Sequence, residues 1–122
     1  MISAMGRGAR KKSITNAVKF LEKNFAVLVS LKKLAGIAEL SPYHFTRVFA
    51  REMGLPPHAY QVKLRLERAK ELIESGMAIS DIAIETGFTD QSHLTRHFKK
   101  RFGTLPSRYK AGLRNRAKFW RK

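Results

Sequence analysis

The chain has 122 residues, 43% of them hydrophobic, which is enough for one small domain or two very small ones with a packed core. Its 25 Lys and Arg residues outnumber its 9 Asp and Glu residues, so the formal net charge is +16. Because so basic a surface repels itself, we expect an anionic partner, either nucleic acid or an anionic membrane. The sequence contains no cysteine, which excludes disulfides and zinc sites built on thiolates.

The sequence favours nucleic acid over a membrane. Residues 1–12 are basic, but no apolar segment follows them as in a signal peptide. The most apolar run, residues 25–31, is far shorter than the roughly 18 residues of a spanning helix. We therefore expect a cytoplasmic, nucleoid-associated protein without a membrane partner. Residues 1–12 predict a flexible basic arm, and residues 112–122 predict a loosely ordered basic tail.

The first half of the chain predicts three helices. Ser13, Ser30 and Ser41 are residues of the type that caps a helix N-terminus. The third helix has Pro42 at its first position and Gly54 just past its end. Within the second helix, predicted over 31–38, spacing places three apolar side chains on the buried face: Leu31, Leu34 and Ile37.

A longer helix, from about residue 58 to residue 75, follows and stops at Gly76. Its apolar residues form two stripes, which is typical of a helix that packs between two bodies. Beyond it, Ser80 predicts a cap for residues 81–86 and Asp90 for residues 91–101, and a last helix starts near Pro106. No stretch alternates with a period of two. The prediction is an all-α protein with subdomains at 13–57 and 77–111, joined by a linker helix over 58–76.

The two subdomains repeat one short helix. Residues 44–54 read HFTRVFAREMG and residues 93–103 read HLTRHFKKRFG, with five identical positions at an offset of 49. Each copy places apolar residues on one face and hydrogen-bonding residues on the other. This is the layout of a helix-turn-helix, whose second helix enters the major groove of DNA. The duplication predicts a monomer whose two reading helices replace the two halves of a dimer.

The polar face of each copy suits base recognition. Arg47 and Arg96 can each donate two hydrogen bonds to guanine, and Gln91 can pair with adenine. Two arginines at matching positions opposite the apolar face favour this interpretation over that of ordinary surface charges.

The residues here resemble the DNA-binding domain of AraC/XylS-family transcription regulators, over residues 13–111. Residues 30–61 resemble the first helix-turn-helix of that family, and residues 78–110 resemble the second. The resemblance implies seven helices with a long linker, binding to promoter DNA and contact with RNA polymerase. It also implies base readout by seven residues: Tyr43, Thr46, Arg47, Gln91, Ser92, Thr95 and Arg96. Most members carry a ligand-sensing or dimerising domain, which we expect to be absent here.

Phosphate contacts are expected from basic residues near the starts of helices and along the reading helices. The candidates are Lys32, Lys33, His44, Arg51, His93, Lys99, Lys100 and Arg108. An alternative function is architectural binding, in which the protein coats or bends DNA without base preference.

Neither a cofactor nor catalysis is expected, because the sequence has no nucleophile elbow, no His-Glu-x-x-His motif and no paired carboxylates in an apolar setting. His93 and His97 lie four residues apart, but two imidazoles alone make a poor zinc site, so no metal is expected either.

Two residues of the first subdomain depart from the pattern. Glu39 stands where the second copy has Gly87, a helix-ending position that usually requires a positive φ, and a residue other than glycine there costs about 1 kcal/mol. Gly36 lies inside the preceding helix and costs a similar amount, roughly 1 kcal/mol. We therefore expect the first subdomain to be the less stable of the two.

Overall fold

A computed structural model describes the backbone of residues 6–120 and the side chains of residues 13–115. The described backbone confirms the all-α prediction, with seven helices: α1 (Gly6–Asn24), α2 (Leu31–Ile37), α3 (Pro42–Met53), α4 (Pro57–Glu74), α5 (Ile79–Glu85), α6 (Gln91–Phe102) and α7 (Pro106–Trp120). The chain divides into two compact units between Leu64 and Arg65, inside α4. We call the unit that ends at Leu64 head one and the unit that begins at Arg65 head two.

The core of head one is built from α1, α2, α3 and the first turns of α4. Phe45 and Phe49 are fully buried, with ring centroids 5.5 Å apart, and Tyr60 packs edge-on against Phe49 at 5.5 Å. Ile14 and Leu21 of α1 are buried in the same cluster. Burial of these side chains orients α3, because its apolar face is held by the other helices and its polar face is left at the surface.

The turn between α2 and α3 contains a strained residue. The amide of Leu40 donates to the carbonyl of Ala35 and the amide of Glu39 to that of Gly36, at 3.0 and 3.1 Å. This pair of bonds is a Schellman motif, which requires a left-handed residue after the helix. Glu39 occupies that position with φ 57°, which confirms the prediction that it shares the conformation of a helix-ending glycine. The next residue after Leu40, Ser41, is the cap of α3.

Head two repeats the motif with one more residue in its turn. The amide of Phe88 donates to the carbonyl of Ala83 at 2.9 Å, and Gly87 takes the left-handed position with φ 88°. Thr89 then lies between Phe88 and Asp90, the cap of α6. The repeat offset is therefore 48 residues up to Phe88 and 49 residues from Asp90 onward.

The core of head two is closed by aromatic and ionic contacts to α4. Phe98 is fully buried, with its ring 4.6 Å from Phe102 and 6.0 Å from Tyr109. The ammonium group of Lys70 lies 5.3 Å from the Phe102 ring, and Arg101 forms an ion pair with Glu67 at 3.5 Å. These contacts fix α6 and the start of α7 against the second half of α4.

In each head, a long polar side chain donates hydrogen bonds to the loop that precedes the first helix of the helix-turn-helix, which is α2 in head one and α5 in head two. We call this contact the loop clamp. In head one, buried Gln61 donates from Nε2 to the carbonyls of Phe25 at 3.0 Å and Val27 at 2.7 Å. In head two, the half-buried Lys110 donates from Nζ to the carbonyl of Met77 at 3.4 Å. Lys110 follows Gln61 at the repeat offset of 49, so the clamp belongs to the duplicated unit.

Both ends of the described chain are more helical than predicted. Helix α1 begins at Gly6 rather than after Ser13, and α7 continues to Trp120, so the backbone is helical over residues 6–12 and 112–120, inside the segments predicted as a flexible basic arm and a basic tail. Residues 1–5 and 121–122 lie outside the described residues. Arginine and lysine, which recur in both segments, are strong helix formers, and this propensity favours helix beyond the position of Ser13.

Two further predictions about helix starts and burial are wrong. Ser80 is not the cap of α5, because the helix begins at Ile79 after Ala78, whose side chain offers no cap. Leu31 is 42% exposed, because it is the first residue of α2 and projects beyond the core, and Ile37 is only half-buried. Ala35 joins Leu34 on the buried face of α2 instead.

Candidate nucleic-acid interface

Helix α3 has a capping residue at each of its ends. The hydroxyl of Ser41 accepts from the amide of His44 at 3.2 Å, Pro42 occupies the first helical position, and Gly54 ends the helix with φ 80°. Both caps were predicted. Because Phe45 and Val48 are buried on one side, the opposite side of α3 faces solvent.

The solvent face of α3 carries the residues predicted to read bases. Tyr43 is 73% exposed and Arg47 is exposed as well. Thr46 is half-buried, and its hydroxyl donates to the carbonyl of Pro42 at 2.9 Å. Thr46 therefore lies at the edge of this face with its hydroxyl proton already engaged, whereas Tyr43 and Arg47 project from its centre.

Tyr43 and Arg47 contact each other one helical turn apart. Nη1 of Arg47 donates to the phenol oxygen of Tyr43 at 3.4 Å, and its guanidinium carbon lies 5.7 Å from the centroid of the tyrosine ring. Guanidinium groups commonly pack on aromatic rings in this way. One edge of the guanidinium is thereby engaged, and its other N–H groups remain available.

Helix α6 offers the equivalent face in head two. The carboxylate of Asp90 accepts from the amide of His93 at 2.8 Å, and Gly103 ends the helix with φ 75°. Leu94 and Phe98 are fully buried, which turns the opposite side of α6 outward. On that side the predicted readers Gln91, Ser92 and Arg96 are exposed, and Thr95 is half-buried.

The side chain of His93, a predicted phosphate contact, is held in place by several neighbouring residues. It is half-buried, its ring lies 5.3 Å from Phe88 and 4.8 Å from His97, and its Nδ1 accepts from the amide of Thr89 at 3.3 Å. An imidazole that accepts at Nδ1 carries its proton on Nε2 in the neutral state. His93 thus secures the extra turn residue Thr89 and keeps one N–H donor that a phosphate could accept.

Arg65 was not identified from the sequence. It lies on α4, half-buried, with its guanidinium 5.9 Å from the ring of Phe88. Burial lowers the pKa of Arg65 from its ordinary value, because the charged form loses hydration. Arg65 lies on the linker helix, outside both repeated segments. The sequence therefore gave no indication that it contacts the turn between α5 and α6.

The predicted phosphate contacts are accessible, with His93 as the half-buried exception. Seven of them are exposed: Lys32, Lys33, His44, Arg51, Lys99, Lys100 and Arg108. The ion pairs recorded among the described residues use Arg68 and Arg101 instead. These seven side chains are therefore accessible to a polyanion, and the ammonium group of Lys33 also lies 5.8 Å from the centroid of the Phe20 ring.

Two other kinds of site find no support in the described part of the chain. Within it, no three His, Asp or Glu side chains gather in a way that could hold a metal ion. None of the helices in residues 6–120 combines the length and the apolar character needed to cross a membrane.

Comparisons with known proteins agree with this geometry. A family model described as a helix-turn-helix domain matches residues 34–112. An uncharacterized HTH-type transcriptional regulator of Bacillus subtilis, YbfI, is 40% identical over 62% of this chain and 28% of its own length. The bifunctional transcriptional activator/DNA repair enzyme AdaA of the same organism is 36% identical over 75% of this chain and 44% of its own length. The chain thus spans less than half the length of these relatives.

A solved structure extends the match to three dimensions. The DNA-binding domain of AdpA, a global transcriptional factor crystallised in complex with a target DNA, has a TM-score of 0.79 and 25% identity, covering 85% of this chain and 95% of that domain. The family match covers both repeats, from the buried face of α2 to the first turns of α7. The chain belongs to the helix-turn-helix domain family, and its fold matches that of AraC-type DNA-binding domains.

Proposed function

We propose that this chain regulates transcription in the cytoplasm by binding promoter DNA at specific sequences, with α3 and α6 as its two reading helices. The observation that carries the proposal is the matching construction of these helices. Each has a side-chain cap, a glycine stop and a buried apolar face, and each presents an exposed arginine one turn into the helix. Such a face can donate bidentate hydrogen bonds to guanine in the major groove.

The proposed mode of binding places the two helices in successive major grooves of one duplex. The linker α4 has 18 residues, which corresponds to about 27 Å of helix. Helix-turn-helix proteins place two reading helices about 34–36 Å apart, one turn of DNA, and we propose the same spacing for α3 and α6. The chain would then bind as a monomer to an asymmetric site, and RNA polymerase is the proposed protein partner at the promoter.

Selection of bound duplexes from a random DNA pool, followed by sequencing, tests this proposal. We expect two unlike boxes about ten base pairs apart, since each head reads its own sequence. A single enriched box would mean that only one head engages. A pool without enrichment would contradict base readout and favour architectural binding, in which the +16 charge alone holds the DNA.

Single substitutions separate readers from phosphate contacts. Arg47→Ala and Arg96→Ala should each relax preference at one base position, by about 1–3 kcal/mol. Lys99→Ala should weaken binding to all sequences alike and lower the slope of log affinity against log salt by about 0.9. Fluorescence anisotropy on matched and mismatched duplexes at several salt concentrations measures both quantities. Loss of base preference in the Lys99 variant would contradict its assignment to the backbone.

A further inference from the structure

The two reading arginines occupy equivalent positions but different surroundings. One turn before Arg47 stands Tyr43, whose hydroxyl and ring both contact the guanidinium, at 3.4 and 5.7 Å. One turn before Arg96 stands Ser92, at the same repeat offset of 49. Among the described side chains, Arg96 forms no hydrogen bond, ion pair or ring contact.

A contact that orders the guanidinium in the free protein reduces the conformational entropy that is lost on DNA binding. An exposed arginine samples many rotamers, and ordering such a side chain at an interface costs conformational entropy. The contact with Tyr43 restricts the Arg47 side chain in advance. A guanidinium has five N–H donors, and the tyrosine oxygen engages only one nitrogen, so a two-pronged edge stays free for a base.

We propose that Tyr43 is a positioning residue that aims the Arg47 guanidinium at its base, rather than a direct reader of sequence. The inference rests on the proposed function, in that α3 must read bases. The base pair beneath Arg47 is therefore selected more strictly than the one beneath Arg96, whose arginine is ordered only on binding. Head one sets the stricter half of the recognition site.

The test compares four proteins on the random-pool selection described above: wild type, Tyr43→Phe, Arg47→Ala and the double variant Tyr43→Phe/Arg47→Ala. Tyr43→Phe keeps the ring and removes only the acceptor oxygen. Since one hydrogen bond of this kind is lost, preference at the Arg47 base pair should relax about two- to tenfold. In the Arg47→Ala background the same tyrosine change should have no further effect at that base pair.

Tyr109→Phe provides the matched control, because it removes a tyrosine hydroxyl that bonds to Glu74 of α4, outside both reading faces. It should leave base preference at every position unchanged. Tyr43→Phe should also leave the melting temperature unchanged, since Tyr43 is 73% exposed. A purely structural role of Tyr43 would instead move the melting temperature and weaken all sequences alike.

Three results would overturn the inference. Tyr43→Phe could leave preference at the Arg47 base pair intact, it could shift preference equally in the Arg47→Ala background, or it could act only through stability. The second result would make Tyr43 a reader in its own right. Failure of the proposed function itself has a separate signature, since wild type would then show no preference at any position.

Discussion

Head one and head two have the same helical topology, but different contacts stabilise the loops and turns of each head. Head one fixes its entering loop with two short hydrogen bonds from buried Gln61, whereas head two uses a single 3.4 Å bond from half-buried Lys110. Head one ends its α2 with the left-handed Glu39, whereas head two uses Gly87. Equal topology in the two heads therefore does not imply an equal distribution of stability. In head one the strain lies two residues before the cap of the reading helix.

The largest expected effect tests whether the heads fold independently. Phe49→Ala and Phe98→Ala each remove a fully buried ring, at a cost of about 3–5 kcal/mol. Because each ring lies inside one compact unit, each variant should lose amide protection mainly in its own head. Hydrogen exchange resolved by residue measures this. Equal loss of protection in both heads would show that they unfold as one cooperative body.

The loop clamps should differ in strength. Gln61→Met keeps the length of the side chain but removes both hydrogen bonds, so we expect a loss of about 1–3 kcal/mol. Lys110→Met removes one longer bond from a half-exposed group and should cost less than about 1 kcal/mol. Urea denaturation midpoints give both values. An equal or larger cost for the lysine variant would contradict the assigned difference between the clamps.

Relief of strain at Glu39 should make the heads more alike. Glu39→Gly removes a side chain from a residue with φ 57° and should stabilise head one by about 1 kcal/mol. For a unit of this size, the melting temperature should rise by about 4–8 °C. Gly87→Ala, at the equivalent left-handed position, should lower stability by a similar amount. A melting temperature that falls or stays constant in Glu39→Gly would remove the argument that head one carries strain.

The smallest expected effect concerns Gly36 in α2. A Cβ at this position meets no atom within 4 Å, so Gly36→Ala should stabilise head one by about 0.5–1 kcal/mol through helix propensity. Gly54→Ala is the control, because its surroundings are equally open but its φ is 80°. Calorimetry should show opposite signs for the two alanines. Changes of the same sign would mean that backbone conformation does not govern these sites.

Local chemistry could be predicted from the sequence where one short motif decides the outcome. The caps at Ser30, Ser41 and Asp90 formed as expected, because each offers an oxygen to an amide three residues on. The positive φ of Glu39 was predictable from its alignment with Gly87. Ser13 and Ser80 misled, because a serine that could cap a helix can equally lie inside one.

Contacts between distant segments could not be predicted in this way. Gln61 reaches a carbonyl 34 residues earlier, and Arg65 packs on Phe88 from the linker helix. Such pairs depend on how helices pack, and periodicity reports only which face is buried, not what lies against it. The assignment of individual readers and phosphate contacts stays a prediction, because it depends on a duplex that approaches these faces.

The extra residue Thr89 determines where segments of the two copies can be exchanged. Because the repeat changes register between Phe88 and Asp90, a chimera that swaps reading helices should be spliced at the caps, Ser41 and Asp90. A crossover placed upstream, at a constant offset of 49, would rotate the transplanted helix by one residue, or about 100°. Its buried apolar face would then turn away from the core of the host head.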